Sequence, residues 1–300
     1  MSVPVFTHHR CLDHDPGRGH PEQPERLRAV VREVRNARFE LREAPPATLA
    51  ALAEVHPASY AAELERLSGQ GMALIGQDTI LNGASWEAAL AGLGQVLAAV
   101  DHAHTGKGNA FAAVRPPGHH ALQERAMGFC LLANTVLAAR HAQRLGRKQV
   151  LIVDWDVHHG NGTQALVQDD PSIRFVSMHQ WPWYPGTGTA DERGVGNVFN
   201  VPRPPGLPAS GPGGYVESLW GWIEVATKEW HPDLILLSAG YDSMTGDPLG
   251  GFTLEPEHYA EWVDRLRHRV RGAPIVGLME GGYAPERLAA GVVATVKARG

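Results

Sequence analysis

Residues 149–163 read QVLIVDWDVHHGNGT, and the change of character inside that stretch decides the fold. Val150 to Val153 is an unbroken apolar run, the pattern of a strand buried on both faces of a parallel sheet. Polarity then switches abruptly: Asp154, Asp156, His158 and His159 follow, and a Gly-Asn-Gly turn closes the segment. In an extended chain, side chains alternate with period two. Asp154, Asp156 and His158 therefore share one side, with Trp155, Val157 and His159 opposite. Such a segment can offer an imidazole nitrogen and carboxylate oxygens to one cation, and mixed N/O ligation suits zinc, manganese or iron(II). Taken alone it also reads as a solvated loop after a strand.

Working outward, seven further strand-like runs occur at 4–7, 39–42, 110–114, 174–178, 197–201, 234–237 and 275–279. Helical spacing occupies 24–35, 49–55, 58–67, 85–102 (with Ser85 as its cap), 131–145, 215–230, 256–271 and 285–298. Residues 69–83, with Asp78 and Thr79, read as a loop. This alternation predicts one α/β domain over residues 1–300, a parallel sheet covered by helices on both faces. Ligands of such sheets bind beyond the carboxyl ends of the strands. Four strands here end in polar chemistry: Val114 runs toward His119 and His120, Val153 into Asp154, Leu237 toward Asp242, and Met279 toward Tyr283.

The bulk numbers exclude some classes. A net charge of −5, from 27 basic and 32 acidic residues, leaves no basic footprint for nucleic acid. Cys11 and Cys130 suggest no disulfide framework, so a reducing compartment is expected. The first residues lack a charged and an apolar region of the signal-peptide kind, and no apolar run reaches the ~18 residues of a membrane span. The expectation is a soluble cytoplasmic protein. The Trp- and Pro-rich loop at 181–188 is compatible with a homo-oligomer.

The polar strand ends assemble into a chemistry. Asp156, His158 and Asp242 form a three-ligand set with room for water and substrate, the open arrangement of a catalytic zinc. His119 and His120 supply acid and base, with Asp154 and Asn161 as partners, one charged and one neutral. Tyr283, on a Gly-Gly turn, can donate to a developing oxyanion. The reaction class is metal-assisted hydrolysis of an amide.

These residues lie in motifs that resemble the zinc-dependent histone deacetylase family: RPPGHHA (115–121), GFC (128–130), VDWDVHHGNGT (153–163), YPGTG (184–188), SAGYDS (238–243), GDPLGG (246–251) and EGGY (280–283). The resemblance starts at HPEQPERL (20–27), keeps the family's order, and leans toward the class II branch with bacterial deacetylase-like proteins and acetylpolyamine amidohydrolases. It implies an arginase/deacetylase fold with an eight-stranded, mostly parallel sheet. It makes Asp156, His158 and Asp242 the zinc ligands, His120 the general base and acid, His119 with Asp154 an electrostatic partner, and Tyr283 the transition-state donor. Gly128, Phe129 and Tyr184 match the walls of an acyl-lysine tunnel, Leu249 its rim, and Asp78 the rim aspartate. Structural potassium is implied at two places. One uses carbonyls of Asp154, Asp156, His158 and Met178 with the Ser177 hydroxyl; the other uses carbonyls near Val167, Asp170, Ile173 and Asn197. EGGY is followed by Ala284-Pro285-Glu286 where many relatives have Asn-Leu, which alters only a helix start.

The resemblance implies removal of acetyl or other acyl groups from the ε-amino group of lysine in proteins and peptides. Deacetylation of polyamines or other small amines is the alternative, kept open by the acidic loop at 13–25. Two rivals carry different chemistry. A dimanganese ureohydrolase would need further carboxylates and histidines for a second metal. A silent module that captures acylated ligands would retain the metal without turnover.

Overall fold

The computed structural model describes residues 3–298. Eight strands form the main sheet: β1 (Val5–Phe6), β2 (Leu41–Arg42), β5 (Ala110–Ala112), β6 (Val150–Asp154), β7 (Ile173–Gln180), β8 (Val198–Arg203), β9 (Leu234–Ala239) and β10 (Ile275–Met279). Their order is β2-β1-β5-β10-β9-β6-β7-β8, and every pairing is parallel. Every residue of β5, β6, β9 and β10 is buried, which is why these strands are apolar without alternation.

The topology builds the site. After β5 the chain places β6, β7 and β8 toward one edge, then returns to lay β9 and β10 between β6 and β5. The four strands that end in polar chemistry thereby become neighbours. Register aligns their ends: Asp154 lies beside Ser177 on one side and Ser238 on the other, and Met279 pairs with Ala239.

The helices are α1 (Glu25–Asn36), α2 (Leu49–Leu52), α3 (Ala58–Gly69), α4 (Ser85–His104), α5 (Asn134–Arg144), α6 (Asn161–Val167), α7 (Tyr215–Ala226), α8 (Pro256–Arg269) and α9 (Pro285–Ala298). The last matches the span expected from sequence. Helix α9 packs between α1 and α8, and α4 packs on α5 and β5.

Some local expectations fail for physical reasons. The 69–83 segment is not a plain loop: β3 (Ala73–Ile75) and β4 (Thr79–Leu81) form an antiparallel hairpin. Ser85 does not cap α4. Its hydroxyl is engaged with Asn82 and His14, and the Trp86 N–H at the helix start is received by Ser68. The helix expected at 49–55 is a single turn. Residues 131–133 stay out of α5, with the Ala133 N–H donated to His56.

Candidate active site

Beyond β6 the chain turns on its own carboxylates. The Asp156 N–H donates to Asp154, and the His158 N–H to Asp156 Oδ1 at 2.9 Å. Asp242, after β9, accepts the Val157 N–H at 2.8 Å, and Asp156 Oδ2 accepts the Gly281 N–H at 2.9 Å. The two carboxylates converge on one imidazole nitrogen: His158 Nδ1 lies 3.0 Å from Asp156 and 3.1 Å from Asp242. The three donor atoms fall within 4.8 Å of one another. Gly281 is required there, because a Cβ would come within 2.2 Å of Asp242 Oδ2.

The electrostatics ask for positive charge at that point. Both carboxylates are fully buried. Burial and the neighbouring Asp156 push Asp242 up to about 7. Burial works against charge on His158, but Asp156 and Asp242 overcome it and hold the imidazole near 10. A divalent ion at Nδ1 would meet the same demand that the proton meets, and two carboxylates with one imidazole fit zinc. The sequence-expected ligand set Asp156, His158 and Asp242 is therefore brought together, with a donor chemistry that fits the metal.

The rings of the tandem histidines, after β5, lie 4.0 Å apart, tilted by 43°, and face different partners. His119 Nδ1 lies 3.0 Å from Asp154 Oδ2. Burial opposes its charge, but Asp156 and Asp154 together raise it to about 10. His120 Nδ1 lies 2.7 Å from Asn161 Oδ1. An amide oxygen only accepts, so Nδ1 carries the proton and Nε2 keeps a lone pair. Burial, then His119 and His158, hold His120 well below its ordinary range. One imidazole is thus held charged, and the other neutral with a free Nε2 lone pair.

His120 and His158 lie in a cavity of about 240 Å³ with Asp78, Gly128, Phe129, Trp183, Tyr184, Leu249 and Tyr283. All five tunnel residues expected from sequence line it. Tyr184 stands edge-on to His120 at 5.2 Å, and Phe129 edge-on to Tyr283 at 5.9 Å. Gly128 must be glycine: its φ is +56°, and a Cβ would strike the His120 ring at 2.2 Å. Phe129 also has positive φ, at 68°, which a non-glycine residue adopts only when held. The hairpin holds it. Asp78 accepts the Gly128 N–H and the Thr79 hydroxyl, and Thr79 Oγ1 accepts the Phe129 N–H. Asp78 thus lines the cavity and holds its Gly128–Phe129 wall.

Tyr283 is fixed from behind. Its backbone N–H donates to Asp247 at 2.6 Å, and the Arg26 guanidinium lies 4.9 Å from its ring centre. Burial keeps its hydroxyl protonated, well above its ordinary range.

A layer deeper lies a network the sequence reading did not find. Glu22 accepts from Arg115 Nε and Nη2, each at 2.6 Å, and from Arg26 Nη1 at 2.8 Å; His14 Nε2 stands 3.3 Å away. Arg26 also donates to the carbonyls of Gly282 and Glu280. The Glu280 carboxylate accepts the N–H groups of Gly118 and His119. The network thus grips both the histidine loop and the tyrosine turn. Arg26 stands three and four residues before the buried Ala29 and Val30, and that placement on an apolar helix face was the available signal.

At the expected potassium sites, Ser177 Oγ lies 3.1 Å from His179 Nδ1, and His179 Nε2 lies 2.8 Å from the Gly188 carbonyl. A carbonyl only accepts, so Nε2 carries the proton, Nδ1 receives the Ser177 hydroxyl, and the serine lone pairs stay free. Elsewhere, the carbonyls of Val167, Asp170 and Ile173 do converge, but on the side-chain amide of Asn197. The Asn197 carbonyl takes the Phe175 N–H.

Compared with known proteins, residues 20–299 match the histone deacetylase domain. The chain is 37% identical to the histone deacetylase-like amidohydrolase of Pseudomonas aeruginosa, over 89% of this chain and 73% of that protein. It is 36% identical to the human polyamine deacetylase HDAC10, over 92% of this chain and 44% of that protein. Its fold superposes on the crystal structure of the HDA15 HD domain with a TM-score of 0.92 at 35% identity, covering 98% of this chain and 90% of that one.

Proposed function

The chain belongs to the histone deacetylase family, and from that premise we propose that it is a zinc-dependent amidohydrolase that removes acetyl or related acyl groups from the ε-amino group of lysine in peptides and proteins. The observation that carries this reading is the meeting of Asp156, His158 and Asp242 with His120 and Tyr283 at one aromatic-walled cavity.

Asp156, His158 and Asp242 would hold the zinc, which when bound polarises a carbonyl and lowers the pKa of water toward ~7. His120 Nε2 takes the proton from the attacking water and returns it to the leaving amine nitrogen. His119, paired with Asp154, keeps positive charge beside the reaction without giving up its proton. The Tyr283 hydroxyl donates to the carbonyl oxygen as negative charge grows on it. Phe129 and Tyr184 enclose the aliphatic part of the substrate chain. We read the Ser177 hydroxyl, with the carbonyls of Asp154, Asp156, His158 and Met178, as holding one potassium ion; the free serine lone pairs support this.

Lysine is favoured over a polyamine by the carboxylates at the cavity. Glu22 is fully buried against Arg26 and Arg115, and Asp78, among the described residues the single carboxylate lining the cavity, is engaged by Gly128 and Thr79. The cavity lining therefore offers no second carboxylate to a second cationic amine. The test is turnover, after zinc quantification, on an acetyl-lysine peptide beside N-acetylputrescine and N-acetylspermidine. Faster hydrolysis of the peptide supports the reading; preference for the polyamines overturns it in favour of a small-amine deacetylase.

A further inference from the structure

The carbonyls of Val167, Asp170 and Ile173 surround a single point at the end of α6 and the start of β7. Asn197 Nδ2 occupies it, at 2.8 Å from Val167 O, 2.9 Å from Asp170 O and 2.8 Å from Ile173 O. Three carbonyl dipoles aimed at one atom from hydrogen-bond distance make a concentration of negative potential that needs a donor or a cation. The resemblance implies potassium there. We propose that in this chain the Asn197 carboxamide takes the cation's place, so that the second structural cation site is filled by the protein itself.

Several observations converge on this. Because all three neighbours are acceptors, the amide must present its NH2 and not its oxygen. Asn197 is 2% exposed, so the amide is locked in. It is anchored by its own backbone, whose carbonyl receives the Phe175 N–H within the β7–β8 pairing. The turn around it is also satisfied from inside: the Asp170 N–H donates to Val167 O, and the Ile173 N–H to Asp170 O. The nearby carboxylate of Asp170 gives no net charge to attract a cation, since Arg140 pairs with one of its oxygens and Ser172 with the other. Two amide hydrogens serve three oxygens, and Asn197 Oδ1 has no hydrogen-bond partner among the described residues. The arrangement thus forgoes full satisfaction of the amide for independence from a bound ion.

The experiment is diffraction from crystals of the full chain grown with thallium(I) in place of potassium, read by anomalous scattering. The expected map has no peak among the Val167, Asp170 and Ile173 carbonyls. A peak there, with Asn197 swung away, overturns the proposal. Density near Ser177 is a separate outcome that bears on the potassium reading of that site alone. A second measurement uses Asn197→Ala. Emptying the cage should create a cation requirement at this place that the unmodified chain lacks there. The melting temperature of the variant should then rise by at least about 3 °C more than that of the unmodified chain when choline chloride is replaced by potassium chloride. An equal response of the two proteins to potassium would overturn the claim that the amide replaces a cation. If the variant fails to fold in either salt, the thallium map of the unmodified chain decides.

Discussion

Asp156, Asp242 and His158 at the front of the sheet, and Glu22, Arg26, Arg115 and Glu280 a layer behind, are charged clusters buried to nearly the same degree. They differ in balance. In front, two carboxylates meet one imidazole and negative charge is left over. Behind, two carboxylates and two guanidiniums cancel, and the guanidiniums spend donors on the carbonyls of Cys11, Gly282 and Glu280 as well. An unbalanced buried cluster is poised to take a cation; a balanced one is complete and serves to hold parts in place. The front should therefore cost stability and supply activity, while the back should supply stability and only transmit to activity.

Removing a front ligand tests this most severely. Asp242→Ala should bring turnover to the assay floor and lose zinc with it, read by metal analysis. The metal-free variant should also lose less stability than Glu22→Gln does, since removing one of two converging carboxylates offsets the loss of the acceptor for the Val157 N–H. A variant that still binds zinc and turns over removes Asp242 from the ligand set. A large drop in metal-free stability would show that the front is a structural cluster like the back. Next in size, Tyr283→Phe should lower kcat by about 10²–10³ while zinc content and melting temperature stay put. An unchanged kcat takes the tyrosine out of the chemistry.

The contrasting variant is Glu22→Gln, which leaves Arg26 and Arg115 buried without their counter-ion. It should cost about 3–5 kcal/mol and lower activity through displacement of the histidine loop and the Tyr283 turn, with a smaller effect than Tyr283→Phe. The pH dependence has a definite sign. Burial works against the Glu22 charge, but Arg115, His14 and Arg26 outweigh it and hold the carboxyl well below 4.5. A carboxylate depressed in the fold contributes in full above its unfolded value and loses that contribution as pH falls through the folded one. The stability gap between parent and variant should thus be constant near neutrality and narrow below about pH 4.5. Chemical denaturation at a series of pH values reads it, and a gap that widens in acid contradicts the assignment.

The two regions were not equally legible. The front announced itself because carboxylates and imidazoles directly after apolar runs have no cheap explanation inside a core, and because parallel strands put such ends on one edge. The polar residues that follow the apolar runs ending at Val114, Val153, Leu237 and Met279 were enough to nominate His120, Asp156, His158, Asp242 and Tyr283. The back was hidden because Glu22 and Arg26 sit in a segment whose composition reads as solvated loop and helix start. Only the fold brings Arg115, 93 positions away from Glu22, into contact. Sheet order was likewise unreadable, since β9 and β10 enter between strands laid down much earlier. The hairpin at Ala73–Ile75 and Thr79–Leu81 was missed because its strands are short and flank a glycine-containing turn.

That hairpin offers the smallest and sharpest test, because it shares a property with each region: it touches the cavity, yet acts by holding. Thr79 Oγ1 accepts the Phe129 N–H at 3.1 Å and its hydroxyl donates to Asp78 at 2.9 Å. Phe129 sits at φ 68°, a conformation that costs about 1 kcal/mol or more unless the surroundings fix it. Thr79→Val keeps shape and volume but removes the acceptor. Loss of both hydrogen bonds of the Thr79 hydroxyl, each worth about 1 kcal/mol, should let Phe129 relax out of the left-handed region and widen the channel wall. The expected result is a rise in KM of roughly 5-fold with kcat changed by less than about 2-fold, because the wall binds the substrate chain and does not touch the reacting atoms. Thr79→Ser should restore the parent KM, since it returns the hydroxyl and not the methyl. If serine fails to rescue, packing and not the hydrogen bond sets the wall. If kcat falls as far as KM rises, the hairpin belongs with the front cluster in the chemistry, and the division between reacting and holding layers has been drawn in the wrong place.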